Sequence, residues 1–556
     1  MDWKQQKMTT KDKEFSLIDS PWIRVIDPNC KVSEVSVRDV LVNAHKYEAL
    51  AGETPSQDFA LLRILLAVLH TAVERYDKDG NRSELDSEYR IETWQEIWEN
   101  KKFPEKMIEA YLNEWYERFY LFHPVYPFMQ VANMPFEETY DKKGNIQPIR
   151  QMDGELSENN NKCRLFANKF GPEKDRMTYS EAARWLIHYQ AFSDAAAKKK
   201  DKSSQSGGKN VPSWCGQIGC IAAEGNNLFQ TLMLNLVLES GNPKIDESPS
   251  FPMWERDVFE NTEGVKVPVP SNYAQMYTMQ CRRIKLVRTG DYVTNFFVTY
   301  GDFVDVSEAY GYEPMSLIYS GTKSKPEKAL RRHREGIQAW REFPFSVRYG
   351  STKEERPGVA EWVNTLYNKG VINNLGFIRY RTVSAVYGKC FGCISDIYWD
   401  EFCVHADIFS DKSAAVQDAI MKEIDLVDKV CGVAVWNLHN DLSVAAGLIS
   451  AGNNNKDKGD VFKKRFESLR NEYYIRMNEP FKEWLSSIKA DPESFDSTEW
   501  RNTAREITLD FGEEIVKSYG RKAYVGVRND EKKHFMSVPL ALINFEKYVW
   551  GMYGNK

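Results

Sequence analysis

The clearest helical pattern in the first half of the chain begins at Thr54. Thr54 has the features of an N-cap, Pro55 fits the first helical position, and Gln57 follows three residues after the cap, as in a capping box. Leucines and other apolar residues then recur at helical spacing as far as His70. The pattern predicts a helix that is buried on most sides, with neighbouring elements packed around it.

The remaining apolar positions change their period along the chain. Helical spacing is also found in the segments 92–122 and 178–192. Alternation typical of strands is found in the segments 15–25, 31–37, 276–286 and 375–409, the last of which divides into two strands around a turn at 387–393. From residue 411 the period is helical, in four long segments at 412–449, 460–488, 497–519 and 535–553.

This change of period predicts an α+β protein in two parts. We expect a large mixed domain at residues 1–409 and an all-α four-helix bundle at residues 410–556. A chain of 556 residues is too long for one hydrophobic core, which agrees with more than one domain.

Composition narrows the class of protein. The chain has no run of about 18 apolar residues and no apolar signal segment near its start, so we expect a cytoplasmic protein without a membrane span. Nine cysteines without an export signal are expected to be reduced thiols. The net charge of −6 argues against nucleic-acid binding through overall charge, although a local basic patch stays open.

Sequence motifs for common enzymatic chemistry are missing. The chain contains no GxxxxGK[ST], HExxH or GxSxG motif, and no GxGxxG after a strand. His405 and His439 each have an aspartate two residues later, and neither has a second cluster of metal ligands. Nothing in these patterns points to catalysis or to a bound cofactor, although an active site built from distant residues stays open.

Cysteines around the turn at 387–393 allow a second interpretation. Cys390 and Cys393 have CxxC spacing, and Cys403 and His405 follow on the next strand, so the four could bind structural zinc. The spacing of nine residues between the two pairs does not guarantee that they converge. Zinc, redox chemistry and ordinary thiols all remain open at this point, and ordinary thiols are favoured.

Several segments together carry a resemblance to a known family. They read LIDSPWIRV at 17–25, LAGETPSQDFALLRILLAVLH at 50–70, HPVYPFMQ at 123–130 and GNNLFQTLMLNLVL at 225–238. These segments resemble CasA, the large-subunit family of the type I-E CRISPR complex Cascade. The resemblance is dense in the first 240 residues, looser between 250 and 410, and extends to the terminal bundle.

The resemblance implies a non-catalytic subunit of an RNA-guided surveillance complex. Such a subunit recognises the protospacer-adjacent motif (PAM) in double-stranded DNA, promotes strand separation for guide pairing and helps to recruit a helicase-nuclease. The implied partners are the guide RNA, target DNA, the helicase-nuclease and other Cascade subunits, namely the backbone, small and guide-end-binding subunits.

The resemblance also assigns DNA contacts to two loops. A Phe-x-Asn element near the PAM matches Phe166 and Asn168, although Phe166 could instead anchor its loop. A glycine-rich loop that approaches the minor groove matches a basic segment that would otherwise be a flexible, solvated loop. Its candidate contacts are Gly207, Gly208, Lys198, Lys199, Lys200, Lys202 and Lys209.

Two further sites follow from the same resemblance. A hairpin that splits the first base pairs has its tip at Lys389, Cys390 and Phe391, where the family often carries glutamine; Phe391 could act as an apolar wedge. In the bundle, Lys463, Lys464 and Arg465 are candidates for guiding DNA, and solvation of a helix surface is their alternative. The basic run at 323–341 is equally compatible with a solvated face and with a DNA- or guide-binding patch.

Two other functions are compatible with the sequence. The chain could be an assembly scaffold that caps the complex without reading DNA, or a metal-dependent hydrolase whose site is not visible in the sequence. Convergence of the two loops and the hairpin tip on one face would favour DNA recognition over a scaffold.

Overall fold

The structure is a computed structural model, and helices predominate in it. It describes residues 13–132, 146–158, 166–195, 211–239, 245, 250–256, 266–319, 329–333, 336–347, 357–388, 392–449, 459–529 and 534–554. Short antiparallel sheets accompany the helices before residue 406, and a helical region follows. This arrangement confirms the predicted α+β class.

The helices of the first part vary from one turn to more than five turns. They are α1 (Val37–Val42), α2 (Pro55–Arg75), α3 (Arg90–Glu99), α4 (Glu105–Glu114), α5 (Tyr179–Phe192), α6 (Leu228–Asn235), α7 (Tyr273–Tyr277), α8 (Phe343–Ser346) and α9 (Gly358–Asn368).

The strands of the same part form small antiparallel sheets. The first two sheets pair β1 (Glu14–Ser16) with β5 (Tyr120–Phe122), and β2 (Ile23–Ile26) with β3 (Val32–Val35) and β4 (Ala49–Leu50). The others are β6 (Ile146–Pro148) with β9 (Tyr292–Tyr300) and β8 (Arg282–Thr289), β7 (Cys220–Glu224) with β12 (Phe377–Tyr387) and β13 (Ile394–His405), and β10 (Ile318–Tyr319) with β11 (Ala329–Leu330). The strand pair predicted within 375–409 is confirmed as β12 and β13.

Helix α2 is the centre of the core of the first part. The Thr54 side chain accepts a hydrogen bond from the Gln57 N–H, as predicted, whereas the Gln57 side chain accepts from the Glu53 N–H at 3.1 Å. Helices α4, α5 and α7 and strand β12 pack around α2. The helix is long and apolar enough to cross a membrane by composition, but 94% of that window is buried inside the protein, which is typical of a core helix.

The C-terminal region contains the four long helical segments that the sequence predicts. The first is α10 (Ala414–Val430), a π-helical turn (Cys431–Val435) and α11 (Trp436–Ala445) in direct succession. The other three are α12 (Asp460–Ser487), α13 (Thr498–Lys517) and, after the short helix α14 (Arg521–Val525) and the hairpin β14 (Val527–Asn529) and β15 (His534–Met536), α15 (Val538–Tyr553). The domain boundary at 409/410 stays a prediction, because one hydrophobic core is continuous across it through the stacked rings of Trp340 and Phe481, 4.1 Å apart.

Candidate nucleic-acid interface

Helix α5 connects the segments to which the sequence assigns DNA contacts. Its first turn has a complete capping box, in which Thr178 and Glu181 satisfy each other's backbone N–H groups. In its middle, the buried Arg184 donates hydrogen bonds to Glu34 at 2.7 Å and to Glu53. Burial opposes the charge of this guanidinium, but the two carboxylates outweigh that effect and raise the pKa of Arg184. Arg184 therefore connects α5 to β3 and to the start of α2.

The Phe-x-Asn element lies near the start of α5. Phe166 is 95% exposed, so it does not anchor its loop by packing. The Asn168 amide donates a hydrogen bond to Glu155, and the Lys169 ammonium contacts Asp153 at 3.3 Å and Glu181 at 3.2 Å. Burial disfavours the charge on Lys169, yet these carboxylates raise its pKa. The charged Lys169 thus attaches the loop to α5 and leaves the Phe166 ring in solvent.

The basic glycine-containing loop leaves the described structure at the other end of α5. Ser193 and Ser213 flank it and are joined by a hydrogen bond of 2.7 Å between their hydroxyls. The buried Arg282 guanidinium donates to the Asp194 carbonyl at 2.8 Å and to the Val211 carbonyl at 2.9 Å. These bonds hold both ends of the loop together. Its predicted contacts lie outside the described residues: Lys198, Lys199, Lys200, Lys202, Gly207, Gly208 and Lys209.

The base of the β12–β13 hairpin lies beside the same end of α5. The Tyr387 hydroxyl, in the last residue of β12, donates a hydrogen bond of 2.7 Å to the Phe192 carbonyl. Gly216 permits this approach, because a β-carbon there would come within 2.0 Å of that hydroxyl. The Gly388 N–H donates to the Cys393 carbonyl at 2.9 Å and closes the hairpin. The predicted tip residues Lys389, Cys390 and Phe391 lie outside the described residues.

The three segments are therefore attached along one helix. From Glu181, which holds the Phe-x-Asn loop, to Phe192, which holds the hairpin base, the helix rises about 16 Å at 1.5 Å per residue. That length is within the diameter of a nucleic-acid duplex. The structure thus places the attachment points of the two loops and of the hairpin along one helix. The anchors Arg282 and Tyr387 were not identified from sequence, because their partners are distant in the chain.

The bundle residues lie apart from this helix, at the start of α12. Lys463, Lys464 and Arg465 are exposed. Arg465 is engaged within the bundle, since its guanidinium lies 4.6 Å from the Tyr519 ring centre and donates to the Ser518 hydroxyl at 3.3 Å. Of these three residues, Lys463 and Lys464 make no such contact with the residues that the structure describes.

The basic run at 323–341 does not form a free patch in its described part. Arg331 is buried and contacts Glu342 at 3.3 Å, and Arg332 donates to the Ala385 carbonyl at 3.2 Å. Arg341 contacts Asp428 of α10 at 3.0 Å. These three arginines connect parts of the protein, so the binding-patch interpretation is wrong for them.

The four-ligand zinc set is also wrong. Cys393 lies at the turn of the β12–β13 hairpin, whereas Cys403 pairs with Arg379 near its opposite end. The separation is about 30 Å at roughly 3.3 Å per strand residue, too far for one metal ion. The His405 imidazole contacts Asp407 at 2.8 Å instead. No group of three or more potential metal ligands occurs within the described parts of the chain.

Comparisons with known proteins extend over most of the chain. A family model described as CRISPR-associated protein Cse1 matches residues 16–511. A Thermus thermophilus protein, CRISPR-associated protein CasA/Cse1, is 31% identical over 334 residues, and that alignment spans 60% of this chain and 60% of the relative. Cse1 of Thermobifida fusca has a crystal structure that matches with a TM-score of 0.79 at 26% identity, covering 98% of this chain and 99% of that chain. A chain of a CRISPR RNA-guided surveillance complex shares the fold, with a TM-score of 0.67 at 14% identity over 96% of this chain and 99% of that one.

Proposed function

The chain belongs to the CRISPR-associated Cse1 family, and from this membership we propose that it is the large, non-catalytic subunit of a type I-E CRISPR RNA-guided surveillance complex. In that complex it recognises the PAM in double-stranded DNA, promotes strand separation for guide pairing and helps to recruit a helicase-nuclease. Its partners are the guide RNA, the target duplex and the other Cascade subunits, and its location is the cytoplasm.

One observation carries the DNA-recognition part of this proposal. The Phe-x-Asn loop, the basic loop and the hairpin are all anchored on α5, within about 16 Å of helix. An exposed aromatic ring can enter or stack against a base step, lysines neutralise phosphates, and a hairpin can separate strands. These three actions are needed at one place, where the duplex first opens.

The energetics explain why a protein contact is needed there. Pairing of guide RNA with the target strand nearly balances the loss of the DNA duplex. The first base pairs must therefore be opened with help from contacts that do not depend on the guide. Contacts in the minor groove distinguish mainly A·T from G·C pairs, and this low selectivity suits promiscuous recognition of a short motif.

Substitution of Phe166 in the assembled complex tests the proposal. We expect Phe166→Ala to weaken binding to a PAM-containing duplex roughly tenfold, because a stacked or inserted aromatic ring contributes about 1–3 kcal/mol. The matched control is Phe170→Ala, since Phe170 lies in the same loop and is 76% exposed. Equal binding by the Phe166 variant and the wild type, with assembly intact, would favour a scaffold that caps the complex without reading DNA.

A further inference from the structure

A cavity of about 450 Å³ lies between α2 and the sheet of β7 and β12. Its roof is one face of α2, because its residues follow i, i+3, i+4, i+7 spacing: Pro55, Asp58, Phe59 and Leu62. Its floor is one face of the sheet, because its residues alternate along the strands: Ala222, Glu224, Arg379, Arg381 and Val383. The helix and the sheet therefore diverge here instead of packing directly.

Among the buried and half-buried polar groups that line the cavity, one carboxyl has spare hydrogen-bonding capacity. The Asp58 Oδ1 atom accepts a hydrogen bond of 2.7 Å from the Gly52 N–H, and no described residue donates to its Oδ2 atom. Burial raises the pKa of Asp58 to about 7. Arg381 is already neutralised, because it contacts Glu224 at 3.1 Å and Glu401 at 3.2 Å. The cavity thus accepts N–H donors and disfavours phosphate.

The apolar walls and the mouth fit a planar ring. Phe59 and Leu62 on the helix face Val383 on the sheet. Val383 pairs in register with Trp399, whose side chain is 49% exposed, and the Arg381 guanidinium lies 5.5 Å from the Trp399 ring centre. An aromatic surface therefore continues from the cavity onto the open sheet face, where a neighbouring base could stack.

The cavity is close to the candidate interface. Val383 and Tyr387 are separated by four residues of β12, which is about 13 Å at 3.3 Å per residue. Tyr387 forms the base of the hairpin beside α5. The cavity is therefore within reach of a strand opened at the hairpin.

We propose that this cavity binds one unstacked nucleobase that carries an amino group, namely guanine, cytosine or adenine rather than thymine or uracil. The ring lies between α2 and the sheet, its amino group donates to the Asp58 carboxyl, and its phosphate stays outside beside Trp399. Thymine and uracil lack an amino group and offer only one ring N–H between two carbonyl oxygens, and above the pKa of Asp58 these two acceptors repel its ionised carboxylate. That a separated DNA strand reaches this cavity rests on the proposed function.

Single-stranded oligonucleotides with one variable base test this site on the full-length chain. The probe is a fluorescent oligothymidylate that carries guanine, cytosine, thymine or an abasic residue at its centre, followed by anisotropy at low salt. We expect guanine or cytosine to bind roughly tenfold more tightly than thymine or the abasic residue. This preference should disappear in Asp58→Asn and in Leu50→Trp, which fills the cavity, and persist in Asp510→Asn, an exposed control on α13.

The outcomes separate this inference from the proposed function. Equal binding of all four oligonucleotides would overturn the nucleobase site, as would a preference that survives both cavity variants. Competition by excess methylguanidinium without any dependence on the base would assign the cavity to a basic side chain of a partner and would also overturn it. PAM-dependent duplex binding by the wild-type complex is measured in parallel, because it tests the proposed function independently of base preference.

Discussion

The salt dependence of DNA binding offers a quantitative test of the DNA contacts assigned to Lys463, Lys464 and Arg465. In α12, Phe462 is buried, and each later residue is rotated by about 100° around the helix axis. Lys463 and Lys464 are thus rotated about 100° and 200° from the buried side, whereas Arg465 returns to within about 60° of it. This rotation explains why Arg465 contacts Tyr519 while the two lysines face solvent.

The expected change in salt dependence follows from the two solvent-facing lysines, Lys463 and Lys464. Each phosphate contact contributes about 0.9 to the slope of log K against log salt, so Lys463→Gln/Lys464→Gln should reduce the slope by about 1.8. Between 50 and 200 mM salt, the wild-type complex should therefore lose about 12-fold more affinity than the variant. Arg465→Gln should change the slope little, because its guanidinium is engaged within the bundle.

The assay is binding of the assembled complex to a PAM-containing duplex across that salt range. Lys422→Gln/Lys489→Gln is the matched control, since Lys422 is exposed on α10, Lys489 is exposed just after the end of α12, and both lie away from the start of α12. A slope that is unchanged in the Lys463/Lys464 variant, or that falls equally in the control, would refute the assignment of these lysines to DNA.

Three further experiments, with four substitutions in all, test the core and the loop anchors. Arg63 forms a buried bidentate pair with Glu313 at 2.8 and 3.0 Å, so Arg63→Met should lower the free energy of unfolding in urea by about 3–5 kcal/mol, and adding Glu313→Gln should restore part of it; a loss under about 1 kcal/mol would contradict this. Burial lowers the pKa of His188 to about 3, so protons bind preferentially to the unfolded state. The free energy of unfolding should therefore fall by about 2 kcal/mol between pH 8 and pH 5. His188→Gln should remove this pH-dependent loss, and a variant with the same pH dependence as the wild type would refute the reasoning. Tyr387→Phe removes the bond to the Phe192 carbonyl and should cost about 1 kcal/mol in unfolding while weakening PAM-dependent binding; intact binding would show that this anchor is not needed.

Elements with local boundary signals could be predicted from the sequence. Thr54 and Pro55 start α2 where the pattern places its start. The helix predicted over 92–122 is instead two helices, α3 and α4, because Pro104 forms the N-cap of the second. The strand predicted over 276–286 begins only at Arg282, because Asn272 caps the short helix α7 before it by accepting from the Gln275 N–H at 2.8 Å. In both cases the prediction followed the spacing of apolar residues and overlooked the N-cap of a helix, at Pro104 and at Asn272.

The candidate site could be predicted only as separate segments. The family resemblance identified the loops, but their convergence depends on Tyr387 and Arg282, whose partners lie about 195 and 88 residues away. Excess positive charge at 323–341 left a solvated face and a binding patch equally open, whereas Arg341 pairs with Asp428, a residue far away in the chain that the local charge pattern does not include. The cavity at Asp58 was likewise hidden, because it depends on a gap between α2 and β12.

The most direct test of the central claim is a duplex-binding titration with the purified complex, with and without this chain. Targets with and without a functional PAM are compared at fixed salt, since salt alone changes affinity. We predict that PAM-dependent binding requires the chain and that the complex without it binds both targets equally. PAM-dependent binding that persists without the chain would contradict the account and leave the chain a structural or recruiting role.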